Sequence, residues 1–282
     1  MIELSIIVPT VGRTEDMSAL LLSLTQGLDN IKHEILIVDQ NNDNRLDNVI
    51  SKFSVYLKIK HYKVNFKGLS KAKNFGISKA KGSYISCPDD DCKVTPETYR
   101  KALDLIKTSG FNAVFGKCID NSGNDSVIRF NKKSFELSPA TMNGGFVEAT
   151  MLASSEIFKD FQFDEHMGAG MYYGSEEGYD WLYRILNSKK FRVIYSPEII
   201  FYHPQTILEK GDEQSLKRAY SYACGTAFLC KKHKFVSKFL KKISISVIGI
   251  IIHIFHKPKH SKFYVAQLKG LVEGFLSAKP QI

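Results

Sequence analysis

Much is missing from this sequence of 282 residues, and each absence removes a class of chemistry. Its five cysteines are odd in number and none stands in a C-x-x-C pair. That argues against a disulfide framework or a zinc site and for a reducing compartment. No G-x-x-x-x-G-K-[ST] occurs, which removes the P-loop enzymes, and no G-x-G-x-x-G follows the first apolar run, so a dinucleotide cofactor has no phosphate cradle there. Gly168-Ala169-Gly170 is a near miss in the wrong place, after Phe163-Asp164-Glu165-His166 rather than after a strand. Met1-Ile2-Glu3 leads straight into Leu4-Ser5-Ile6-Ile7-Val8, without a basic region or a long apolar core, so no signal peptide is expected. The C-terminal stretch has little acid. Residues 210–282 carry 14 Lys/Arg against 3 Asp/Glu and residues 1–209 carry 25 against 26, so +11 and −1 make up the net +10. Basic charge lining a ligand cleft would put nucleic acid first. A neutral body with a basic tail points instead to an anionic surface, and no nucleic-acid partner is expected.

What is present centres on Pro88-Asp89-Asp90-Asp91-Cys92, placed directly after the short apolar run Tyr84-Ile85-Ser86-Cys87. A strand that ends in a cluster of negative charge presents it at the rim of a sheet, where parallel α/β folds bind their ligands. Carboxylates are hard ligands that suit Mg²⁺ or Mn²⁺, ions that complete their shells with water and substrate phosphates. With one residue between them, Asp89 and Asp91 lie on the same side of an extended segment and can reach one site together. The bland alternative is a solvated turn leading to a helix at Pro96.

Strands are expected at Leu4 to Pro9, Glu34 to Asp39 and Leu57 to Tyr62, and again before Asp89. Helices are expected at Asp16 to Leu28, Arg45 to Lys52 and Leu69 to Ala80. This alternation is that of a doubly wound α/β fold with a mostly parallel sheet. A helix from Pro96 to Ser109 and a strand at Ala113 to Lys117 come next, then shorter, partly antiparallel strands within Val127 to Ala153. Phe191 to Tyr195 and Glu198 to Tyr202 read as two further strands.

The order of these features resembles the family 2 glycosyltransferases of GT-A fold, the type that builds bacterial surface polysaccharide. Ser5 to Thr10 through Arg13 looks like their opening strand, and Ile37-Val38-Asp39 like the second strand with its nucleotide-binding aspartate. Gly68 to Asn74 and Ala80 to Ile85 are similar to the segment leading into their D-x-D, carried here by Asp89 and Asp91. The resemblance implies a Rossmann-like sheet with helices on both faces, followed by a helical basic tail. It implies that Asp39 accepts a hydrogen bond from the base of a nucleotide sugar, UDP-linked by default, with Pro9, Thr10 and Arg13 beside it, and that Asp89, Asp90 and Lys73 also belong to the donor site. Asp91 would be the direct ligand of Mn²⁺ or Mg²⁺, with Asp89 on the ribose or a metal-bound water. Gln40 and Lys73 depart from the common acid and arginine at their places.

A second acidic group, Glu176-Glu177-Gly178-Tyr179-Asp180, stands at the head of a helix through Trp181, where acids favour the helix dipole. In the family such acids supply the general base. Glu177 is preferred here, with Glu176 and Asp180 as alternatives and Arg184 expected to pair with one of them. His203, at a strand end, resembles the third metal ligand. Three segments follow: residues 1–120 for the donor, 121–209 for the acceptor and catalysis, and 210–282 as the tail. In that tail Lys231, Lys232, Lys234, Lys238, Lys241 and Lys242 precede an apolar run from Ile243 to Phe255 too short to cross a bilayer. Residues 231–256 are expected on an anionic membrane surface or in a C-terminal bundle. The whole implies an inverting hexosyltransferase, cytoplasmic and peripheral on the inner face of the cell membrane, acting on a lipid-linked glycan. A nucleotidyltransferase acting on sugar phosphates is one rival, and a non-catalytic membrane- or nucleic-acid-binding protein is the other.

Overall fold

The structure, a computed structural model, describes residues 1–205 and 211–277. They group into two units. One takes in Met1–Phe66, Ala72–Gln162 and the chain from Trp181 through the last strand; the other takes in Lys67–Lys71, Phe163–Asp180 and the C-terminal helices.

The chain opens with β1 Leu4–Thr10, α1 Glu15–Gly27, β2 His33–Asp39, α2 Asp47–Phe53, β3 Ile59–Lys63, α3 Leu69–Lys79 and β4 Tyr84–Ser86. It continues through β5 Lys93–Val94, α4 Thr98–Ser109, β6 Ala113–Ile119, β7 Phe135–Glu136, β8 Met151–Ser154, α5 Ile157–Asp160, α6 Glu177–Ser188 and β9 Val193–Tyr202. Among the described residues these strands form one sheet in the order β3-β2-β1-β4-β8-β6-β9-β5, with β7 paired to β9. From β3 to β4 every pairing is parallel. Beyond β4 the sheet is mixed: β8 is antiparallel to β4 and β6, and β9 is parallel to β6.

The parallel half explains the apolar runs. β1 is flanked by β2 and β4, and all seven of its residues are buried. Leu4, Ile6 and Val8 join Leu20, Leu21 and Leu24 of α1 and Ile35 and Ile37 of β2 in one core, as expected of an interior strand covered on both faces. The glycine at 82 has a steric reason: a Cβ there would lie 2.5 Å from the backbone nitrogen of Ser5, so only glycine lets the approach to β4 pass so close to β1.

The two strands expected at 191–195 and 198–202 are one strand, β9. Pro197 interrupts its pattern, but the register against β6 shifts between Phe115 and Lys117, so the proline sits where the ladder is already broken. Of the shorter strands expected within 127–153, β7 and β8 form.

One buried polar cluster ties β1, β2 and β3 together. Glu34 accepts from Ser5 Oγ at 2.7 Å, from the Lys81 amide at 2.6 Å and from Lys60 Nζ at 2.7 Å. Burial alone would raise its pKa, but these three donors outweigh it and hold the carboxyl below its ordinary 4.5. Since the folded chain binds this proton less readily than the unfolded one, the stabilisation is complete above about pH 4.5 and fades as the pH falls below it. Glu34→Gln should therefore cost roughly 1–3 kcal/mol at neutral pH and much less in acid, read from urea midpoints at the two pH values.

The C-terminal helices are α7 Glu213–Lys232, α8 Val236–His253 and α9 Pro258–Ser277. Asp212 caps α7 by accepting from the Ser215 amide at 2.7 Å. Gly270 and Gly274 of α9 lie against α7, and a Cβ on Gly274 would come within 2.6 Å of Cys224 Cα. No helix among the described residues is long and apolar enough to cross a membrane. All five cysteines are free and buried.

Candidate functional site

Three strand ends of the first unit meet at one sheet edge. β1 and β2 pair in register from Leu4 and His33 to Thr10 and Asp39, so Thr10 and Asp39 leave the sheet side by side, with Pro9 opposite Val38. β4, on the other flank of β1, ends at Ser86, and after Cys87 and Pro88 the chain enters Asp89, Asp90 and Asp91.

Asp39 is fully buried and its carboxylate is fixed from two sides. The Asn41 amide and side-chain Nδ2 donate to one oxygen at 2.8 and 2.7 Å, and His61 Nε2 donates to the other at 2.9 Å. Asn41 in turn accepts from the Gly12 amide at 2.7 Å, so the loop after β1 is tied to the end of β2.

The acid triplet is not uniform. Asp90 turns inward, accepting from Thr10 Oγ1 at 2.7 Å and from Arg13 at 2.8 Å. Burial, aided by repulsion from Asp91 and Asp89 and opposed by Thr10 and Arg13, pushes its carboxyl up to about 6. Arg13 also pairs with Asp91 through Asp91 Oδ2. The other oxygen, Asp91 Oδ1, is buried without a hydrogen-bond partner.

His203 faces that orphan oxygen. Its Nδ1 lies 2.7 Å from the carbonyl oxygen of Pro204, which can only accept, so Nδ1 carries the proton. In the neutral ring Nε2 is then a bare lone pair, and it points at Asp91 Oδ1 at 3.5 Å and Asp89 Oδ2 at 3.8 Å. Lone pairs do not face one another in a buried site without a cation or a proton between them. One ligand atom each from Asp89, Asp91, His203 and Cys92 lies within 4.8 Å of the others. Burial pushes the Cys92 thiol well above its ordinary range, which leaves it neutral, while the two carboxylates and the imidazole are a donor set that fits Mn²⁺ or Mg²⁺.

Lys73 forms a buried ion pair with Glu148 just before β8; the lysine is 1% exposed and burial raises the Glu148 carboxyl. Such a pair is weak support for stability as a whole but costly to break by halves. Lys73→Ala should destabilise the fold by roughly 3 kcal/mol, and Lys73→Met with Glu148→Leu should recover most of that, read as a double-mutant cycle on thermal unfolding.

The second acidic group belongs to the other unit, where its members have different surroundings. Glu176 adopts φ of 70° and accepts from Thr226 Oγ1 at 3.0 Å and Lys238 Nζ at 3.3 Å. Asp180 is fully buried between Lys232 Nζ at 2.9 Å and His233 Nε2 at 2.7 Å. The Glu177 carboxyl lies beside Gly168, whose φ of 104° turns the glycine-rich loop there, and a Cβ on that glycine would be 3.2 Å from Glu177 Cδ and 3.0 Å from Ser70 Oγ. Arg184 donates to the Gln162 carbonyl at 2.6 Å.

Sequence reasoning did not identify Asn41, His61, Glu148, Thr226 or the roles of Lys232 and His233. Asn41 carried a local signal, standing two residues after Asp39 as in an Asx motif; the others act across long separations. Lys231, Lys232 and Lys238, expected on an anionic surface, are bonded within their unit: to the Phe275 carbonyl, to Asp164 and Asp180, and to Glu176.

Comparison with solved structures gives S. aureus TarS, residues 1–349, at a TM-score of 0.64 with 17% identity, covering 97% of this chain and 81% of that one. The mannosyltransferase PcManGT from Pyrobaculum calidifontis, in complex with GDP-Man and Mn²⁺, has a TM-score of 0.64 with 12% identity, covering 98% and 88%. These likenesses establish the GT-A fold. Among curated proteins, an Escherichia coli chondroitin synthase is 24% identical over 46% of this chain and 20% of its own length. An uncharacterized glycosyltransferase of Haemophilus influenzae is 34% identical over 37% of this chain and 34% of its own. The chain thus matches a third or less of the length of either relative. The family model for Glycosyl transferase family 2 matches residues 5–235, from the first strand to just past the end of α7, and the chain belongs to that family.

Proposed function

We propose that this chain transfers a hexose from a nucleoside diphosphate sugar, UDP-linked by default, to a hydroxyl of a lipid-linked glycan in surface polysaccharide synthesis. It works peripherally on the inner face of the cell membrane, with inversion at the anomeric carbon. The observation that carries the reading is the pair of facing lone pairs at His203 Nε2 and Asp91 Oδ1, which call for a divalent cation at the edge where the diphosphate would lie. The neighbours with known ligands support it: TarS 1–349 has been solved with UDP-GlcNAc and PcManGT with GDP-Man and Mn²⁺.

Mn²⁺ or Mg²⁺ held by Asp91, His203 and Asp89 would supply positive charge against the leaving diphosphate. Asp39, held by Asn41 and His61, would accept from an N–H of the base. Thr10 and Arg13 hold Asp90 and so fix the loop that carries Asp89 and Asp91. Glu177 takes the proton of the acceptor hydroxyl. As that oxygen bonds to the anomeric carbon, the bond to the diphosphate breaks and its electron pair leaves with the nucleotide. A single displacement inverts the centre, and no second carboxylate is needed as a nucleophile.

The test is a panel of UDP-, GDP- and dTDP-sugars with Mn²⁺ and the purified full chain. Nucleoside diphosphate release and an inverted product by NMR are expected. Release of pyrophosphate from a nucleoside triphosphate would instead identify a nucleotidyltransferase, and a product of retained configuration would refute the single displacement.

A further inference from the structure

The second unit leaves a long apolar stripe in water. Leu240, Ile248, Ile251, Ile252, Ile254 and Phe255 are exposed along α8 and the turn after it, Ile251 by 67% and Phe255 by 87%. The inner side of the same helix is fully employed: Ser246 donates to Gln267 of α9 at 2.9 Å, Gly249 lies against the Tyr264 ring, and Phe239 and Ile243 pack on Ala223, Ala227 and Leu271. A contiguous exposed apolar face of this kind marks an interaction surface.

Charge decides what covers it. Lys241 and Lys242 flank the stripe at one end and the exposed Lys257, Lys259 and Lys262 at the other, and no Asp or Glu occurs from residue 214 to residue 272. A second copy laid on this stripe, parallel or antiparallel, would bring lysine ends onto lysine ends. An anionic bilayer complements both the stripe and its flanks. Because Lys231, Lys232 and Lys238 are engaged inside the unit, the cations facing outward are those at the α8–α9 turn rather than those preceding α8.

We infer that α8 and the turn at its C-terminal end form a membrane-docking element. The helix lies in the interface, Ile251, Ile252, Ile254 and Phe255 enter the acyl region of an anionic bilayer, and Lys257, Lys259 and Lys262 meet lipid phosphates. The helix is too short and too little apolar to span, so it docks on one leaflet. This deepens the acceptor side of the function proposed above, by saying which surface meets the membrane, and it does not rest on the transfer chemistry.

The experiment sediments the full chain with vesicles of phosphatidylglycerol and phosphatidylcholine, and with phosphatidylcholine alone. Binding is expected to be about tenfold or more stronger on the anionic vesicles and to weaken with salt. Ile251→Glu with Phe255→Glu should lower it by about tenfold or more, and Lys257→Glu with Lys259→Glu by about tenfold with a flatter salt dependence. Both pairs lie on the surface, so thermal unfolding and turnover of nucleotide sugar with a soluble acceptor should match the wild type. A wild-type chain that stays in the supernatant, or a double-glutamate variant that still pellets, overturns the inference. So does a wild-type dimer by light scattering that the double-glutamate variant dissolves, which would give the face to a second copy. Binding is read without any donor, so absent turnover would count against the transferase reading alone.

Discussion

Replacing His203 by alanine is expected to lower sugar transfer by about 10²–10³-fold and to remove the gain in nucleotide affinity that Mn²⁺ gives the wild type. One proton on His203 sets the site. The Pro204 carbonyl holds this proton on Nδ1, so in the neutral ring Nε2 meets Asp89 and Asp91 as a lone pair, and Asp91 Oδ1 is buried without a hydrogen-bond partner. A divalent cation bound among these three groups would complete the site, and alanine deletes the imidazole ligand while leaving both carboxylates. Calorimetry with UDP, with and without Mn²⁺, separates this from a loss of fold. His203→Ala should bind UDP with the same affinity in both conditions, and Asp91→Asn should behave likewise. If either variant keeps a metal-dependent affinity equal to the wild type, the ligand assignment is wrong. Thr10 supplies the control, because Thr10→Val acts through Asp90 and should weaken binding without removing its dependence on metal.

The parts of this arrangement that sequence revealed are those written in short, local patterns. β1 and β2 are covered on both faces, so each is a continuous apolar run, and an acid or a threonine at its end is the first residue to leave the sheet. The acid triplet after β4 followed the same logic. What stayed hidden depends on separation along the chain. His61 reaches Asp39 from 22 residues away, Lys73 meets Glu148 across 75, and Lys232 and His233 reach Asp180 across more than 50. Composition showed a basic tail but not which lysines were already paired. The strands expected at 191–195 and 198–202 are one, and the register shift opposite Gly116 is where that strand tolerates Pro197, which has no ladder donor.

Glu177→Gln should lower kcat by about 10²–10⁴-fold while leaving donor affinity and thermal stability near those of the wild type. Glutamine keeps the size of the side chain beside Gly168 but cannot accept the hydroxyl proton at neutral pH. The neighbouring acids give the comparison that makes this decisive. Asp180 is buried between Lys232 and His233, so Asp180→Asn leaves cations without their counter-charge and should cost roughly 3–5 kcal/mol of stability, lowering the unfolding temperature before it touches the chemistry. Glu176 anchors Thr226 and Lys238 from a left-handed backbone position, and Glu176→Gln keeps the Thr226 bond and gives up the charge, with an effect on kcat of less than about tenfold. A pH profile adds a second test, since the acidic limb of kcat should flatten in Glu177→Gln and persist in the other two variants. Should Glu176→Gln or Asp180→Asn lose turnover at unchanged stability while Glu177→Gln retains it, the base belongs to that residue and the ion pairs described for it must open during the reaction.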